Sequence, residues 1–139
     1  MPIVKIDVHK LSAIRNLDAK GGQVRIDNTV SLKNVEEMDF AVDNKKGLKF
    51  TFSFTCTYQP DLGSIVVEGK VLFIEEQKKV EEIMKSWVKE KKIPPQIMEQ
   101  IANAALHKGN IQAIKVSEEV SLPSPLPLPK VRAGSAKEL

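Results

Sequence analysis

A chain of 139 residues is about one domain long, and folding at that size buries roughly two thirds of the surface the unfolded chain exposes, so no disulfide or metal is needed to hold it together. The lone cysteine, Cys56, excludes an internal disulfide and points to a reducing compartment, the cytoplasm. The formal charge of +3 is too small to argue for nucleic acid, and it is uneven: residues 1–77 carry 10 Lys+Arg against 11 Asp+Glu, residues 78–139 carry 11 against 7.

The opening MPIVKIDVHK has lysine at every fifth position and no apolar run of seven, so neither a signal peptide nor a membrane anchor is expected, and no stretch further on reads as membrane-spanning. Val4, Ile6 and Val8 alternate with charged residues, and Leu11 and Ile14 extend this first strand. After the turn signal Lys20-Gly21-Gly22, a second alternation runs through Val24, Ile26, Val30 and Leu32, with Asn28 as the exception. Asp43-Asn44-Lys45-Lys46-Gly47 reads as the next turn. The third strand is the clearest: Leu48, Phe50, Phe52, Phe54, Cys56 and Tyr58 fill the even positions, polar residues the odd ones, as in an antiparallel sheet covered on one side. Gln59-Pro60-Asp61-Leu62-Gly63 is a reversal, and a fourth strand follows through Ile65, Val67, Gly69, Val71 and Phe73. Strands this close in sequence are expected to pair as a meander.

Near residue 76 the period changes. Val80, Ile83, Met84, Trp87 and Val88 stand at helical spacing with Glu81, Glu82, Lys85 and Lys89 opposite, and Ile93-Pro94-Pro95 ends that helix. Pro95 is suited to open a second helix, read as carrying a stripe of Ile97, Ile101, Ala104, His107 or Lys108, Ile111 and Ile114 to about Glu119, unbroken through Gly109 although glycine there costs about 1 kcal/mol relative to alanine. From Leu122 the chain reads LPSPLPLPKV. Pro123, Pro125, Pro127 and Pro129 alternate, so an extended segment keeps its backbone donors on one edge only, and no two prolines have PxxP spacing. RAGSAKEL reads as a disordered tail.

None of this assembles a reaction centre. His9 and His107 lie in different elements without the carboxylate or cysteine spacing of a metal site, Cys56 shares an oily strand face, and Gly21-Gly22 lacks the frame of a phosphate loop. The reading is therefore no enzyme, no cofactor and no metal. The lysines at 85, 89, 91 and 92 interleave with Glu81, Glu82 and Glu90 as a solvated helix face does, and no aromatic residue among them is placed to stack a base, so nucleic acid is disfavoured as a partner. The aromatic row Phe50, Phe52, Phe54, Tyr58 is core beneath the helices by default. Left partly uncovered, it joins subunits or receives an extended apolar peptide.

The order of four long antiparallel strands, helical sequence and a Leu/Pro-rich extended stretch resembles the SecB export chaperones. The residues that carry the likeness are Leu122-Pro123-Ser124-Pro125-Leu126-Pro127-Leu128-Pro129-Lys130-Val131, with the Phe50–Tyr58 strand and Val24-Arg25-Ile26-Asp27 in support, over roughly residues 3–131. The resemblance implies a homo-oligomer, dimer or tetramer, that binds unfolded or non-native polypeptides in apolar grooves without ATP. The chain departs from the family in lacking the short final helix and acidic tail, in being basic, and in the length of the helix before the proline segment, so docking onto a translocation motor is not carried over.

The expectation is thus an α+β fold: a four-stranded, meander-like antiparallel sheet, two helices and an extended Pro/Leu segment, forming a single SecB-like domain over residues 1–131 with a tail at 132–139. The expected function is an ATP-independent holdase linked to protein export. Its peptide-binding residues would be Phe50, Phe52, Phe54 and Tyr58 from the sheet, Met84, Trp87 and Met98 from the helix junction, and Leu122, Leu126 and Leu128 from the Leu/Pro segment. The alternative is a small structural or adaptor subunit using the same surfaces for one dedicated partner.

Overall fold

A computed structural model describes residues 3–19, 22–42 and 44–126. Four strands, β1 (Ile3–Arg15), β2 (Arg25–Val42), β3 (Lys45–Gln59) and β4 (Gly63–Glu76), precede two helices, α1 (Gln77–Glu90) and α2 (Pro95–Glu119). All pairings are antiparallel and the spatial order is β1-β4-β3-β2. The meander holds for β2, β3 and β4. The first strand instead lies along the outer side of β4, so β1 and β2 form the two edges. The centre goes to the strands with the strictest apolar alternation, and the charged ones are left outside, where unpaired backbone faces water.

The β2–β3 turn is tighter than its composition suggests. Asn44 takes the left-handed conformation (φ 63°), which lets Lys45, Lys46 and Gly47 join the strand and pair with Glu76, Glu75 and Ile74. In β1 the register with β4 slips at Val4 and again at His9. The first slip breaks the expected alternation, because Ile6 and Val8 turn inward while Val4 is left 61% exposed.

Both helices cover one face of the sheet, the face of the even residues of β3. Leu48, Phe50, Phe52, Val71 and Phe73 pack with Val80, Ile83 and Trp87 of α1, and with Ile101 and Ala105 of α2. Phe50 and Phe73 meet edge to face, ring centroids 5.6 Å apart, worth about 1 kcal/mol beyond the buried area. Phe54, Cys56, Tyr58, Ile65 and Val67 form a second cluster with Ala113 and Leu122. The other face is mixed: Thr29 stands beside Thr55, Ser31 beside Ser53 and Lys70 pairs with Glu36 at 3.5 Å, while half-buried Val66 and Leu72 share it opposite Thr55 and Lys49.

The stripe that α2 buries is not the one its large residues suggest. Ile101, Ala105, Gly109, Ala113 and Ser117, at a strict spacing of four, face the sheet, whereas Ile111 and Leu106 face out. Small residues allow a close approach. A Cβ built on Gly109 would stand 2.4 Å from Cγ of Phe54, so glycine at that position is what lets the helix lie on the ring. The helix runs unbroken through it.

Beyond α2, Ser121 adopts φ 59° and the Leu122 amide donates to the Ser117 carbonyl at 2.8 Å, turning the chain back over the core. The Tyr58 hydroxyl then donates to the Pro123 carbonyl at 2.6 Å, and Ser124 Oγ donates to the Leu126 carbonyl at 2.8 Å. Pro127, Leu128, Pro129 and the expected tail at 132–139 lie outside the described residues.

Candidate functional site

Where α1 gives way to α2, a cleft of about 420 Å³ opens beside the β2 edge, lined by Leu32, Trp87, Lys91, Lys92, Ile93, Pro95 and Met98. Its shape follows from how α1 ends. Lys91 closes the helix in the left-handed conformation (φ 56°), its amide donating to the Trp87 carbonyl at 2.8 Å, and the Ser86 hydroxyl donates to the Lys92 carbonyl at 2.7 Å. Ile93 is thereby driven into the core. Pro94 and Pro95 then redirect the chain, and the Met98 amide takes the Pro94 carbonyl at 2.9 Å to start α2. Trp87 and Ile93, each 8% exposed, make the floor. The Lys91 ammonium stands 5.1 Å from the Trp87 ring centroid, in cation–π range.

Across the cleft stands Leu32, and β2 carries an extra residue, Lys33, where its register with β3 slips. Because β2 is an edge strand, the cleft lies next to backbone donors and acceptors that no other strand among the described residues uses. An apolar hollow flanked by an open strand edge can seat a side chain and pair with an extended backbone at once.

The residues singled out from the sequence fall into three places. Trp87 and Met98 line the cleft, while Met84, half-buried, packs against the first core cluster and is not part of the lining. Phe50, Phe52, Phe54 and Tyr58 are each no more than 1% exposed beneath the helices, because the alternation that makes the row conspicuous also turns it wholly toward α1 and α2. Leu122 belongs to the second core cluster and Leu126 is half-buried on the strap over Tyr58, away from the cleft lining; Leu128 lies outside the described residues. Sequence reasoning missed Leu32, Ile93, Pro95, Lys91 and Lys92. The run Ile93-Pro94-Pro95 was legible as a helix stop, and a stop that places an isoleucine between two helix ends is a signal for a hollow there.

Cys56 is fully buried, and burial pushes its thiol up, only partly opposed by the neighbouring Tyr58 hydroxyl. The same burial, reinforced by Cys56, pushes the Tyr58 phenol up. Both groups are held in their neutral forms, which suits core and not nucleophilic attack.

No family model matches the sequence, and no curated protein matches it. Among solved structures the chain is similar to the SecB-like chaperone Rv1957 of Mycobacterium tuberculosis, in complex with a ChAD peptide from the Rv1956 HigA1 antitoxin. The TM-score is 0.55 at 15% identity, over 94% of this chain and 89% of that one. The fold is SecB-like. At that identity the likeness speaks for architecture: one antiparallel sheet of four strands followed by two helices. No helix among the described residues is long and apolar enough to cross a membrane.

Proposed function

We propose that this chain is an ATP-independent peptide-binding protein that holds unfolded or non-native polypeptides, acting in the cytoplasm as a homo-oligomer, a dimer or tetramer, with a link to export. Residues 1–131 would act as one binding domain and 132–139 as a tail. The observation that carries the reading is the Trp87–Met98 cleft set against the open edge of β2. A client side chain of Leu size seated there contributes about 2 kcal/mol, and each backbone hydrogen bond to β2 about 1 kcal/mol, regardless of client sequence. That division suits a holder of many chains. The solved neighbour's peptide complex supports a polypeptide as the ligand class. The other edge, β1, exposes Val4, Leu11 and Ile14, with Leu17 82% exposed just beyond, and this supports self-association. Binding without chemistry fits side chains that sit in these places for packing.

A second reading, an adaptor for one dedicated partner, is favoured by the same neighbour, whose bound peptide comes from a single antitoxin. The two separate in one assay: suppression of aggregation of several unrelated denatured proteins by up to equimolar protein, without nucleotide and at moderate salt, with mass measured by light scattering. Suppression of all clients by an oligomer supports the holdase, and its loss in Met98→Asp places it at the cleft. Suppression of none by the folded protein rules the holdase out and leaves the adaptor.

A further inference from the structure

The cleft is apolar at its floor and cationic at its rim. Lys91 and Lys92 both line it and both are exposed, no acidic side chain lines it, and among the described residues neither lysine forms an ion pair. Their backbone is fixed by the left-handed turn at Lys91 and by the Ser86–Lys92 hydrogen bond. A favourable interaction with the carbonyl end of α1 accounts for a cation somewhere in its last turn. It does not account for an ammonium over the face of the tryptophan that floors the cleft. Lys33, the extra residue of the β2 edge next to Leu32, adds a third exposed cation where an extended ligand would run.

From this charge complementarity we propose that the cleft selects acidic segments: extended peptides in which an apolar residue, seated on Trp87 and Met98, is flanked by carboxylates that meet Lys91 and Lys92. The inference rests on the peptide-binding reading above and names its ligand class. The rim is solvated, so each carboxylate–lysine pair adds little, and two together should favour an acidic flank over a basic one by about fivefold at low salt. Near 1 M salt, where charges are screened within about 3 Å, the preference should vanish while apolar binding persists.

Trp87, the single tryptophan, reports occupancy directly. The test titrates the full chain, by Trp87 fluorescence and in parallel by calorimetry, with two short end-blocked peptides that share a Leu-Ile-Leu centre, one flanked by aspartates and the other by lysines. The expected result is about fivefold tighter binding of the aspartate peptide, erased by high salt and reversed in Lys91→Glu/Lys92→Glu. Equal binding, or tighter binding of the lysine peptide, overturns the acidic selection and leaves peptide binding intact. Absence of binding by either peptide in both measurements overturns the two together. The salt arm uses the unaltered protein, so the outcome does not depend on the variant folding.

Discussion

Replacing Gly109 with alanine in the middle of a 25-residue helix should, by propensity alone, stabilise the protein by up to about 1 kcal/mol. The packing of α2 on β3 reverses that expectation. The new methyl would stand 2.4 Å from Cγ of Phe54 and 2.8 Å from both Cδ atoms, well inside contact distance. Cγ is the ring's attachment point on a central strand and cannot swing aside as the tip of a flexible chain does. Relief therefore requires lifting α2 or forcing Phe54 off its rotamer, at the upper end of overpacking costs, about 3 kcal/mol. Offset by propensity, Gly109→Ala should destabilise by about 2 kcal/mol. Urea unfolding followed by circular dichroism checks this as a lower midpoint with an unchanged slope. The same substitution in a Phe54→Ala background, where the clashing Cγ is gone, should be neutral or stabilising, so the double-mutant cycle carries a coupling of about 2 kcal/mol. A raised midpoint in the Phe54 background would refute the close packing of helix on ring.

The strap offers a second test: Tyr58→Phe removes the 2.6 Å hydrogen bond to the Pro123 carbonyl, and we expect a loss of about 1 kcal/mol with faster proteolysis after residue 122. Cys56, wholly buried with its thiol pushed up, should resist a thiol reagent such as DTNB in the native state and react fully in denaturant; rapid native labelling would contradict its burial. Cys56 and Tyr58 hold their protons more tightly folded than unfolded. Their contribution is therefore complete below about pH 8.5 and is lost as pH rises, first through Cys56 and above about pH 10 through Tyr58. The unfolding midpoint should fall on the alkaline side, and Cys56→Ala should remove the earlier part of that fall. At the cleft, Met98→Ala should weaken peptide binding roughly tenfold, read by Trp87 fluorescence, because it deletes apolar wall at a half-exposed position.

Local pattern was enough, in this chain, to determine the kinds of element and most of their limits. Strict alternation from Leu48 to Tyr58 identifies a strand with one buried face, Ile93-Pro94-Pro95 can only separate two helices, and four prolines at alternate positions forbid helix after Leu122. Such signals are carried by each residue's own backbone preferences and by polarity over a few neighbours. The tertiary structure decided what depends on distant partners: that β1 docks on β4, leaving β2 at the edge of the described sheet, and that α2 buries its smallest residues because Phe54 lies beneath Gly109. It also decided that the aromatic row is core while Leu32, Trp87, Ile93 and Met98 share a cleft. Leu32 and Met98 are 66 positions apart, and no local period brings them together. Only the packing of helices on the sheet does, because the apolar surface of both must leave water at the same place.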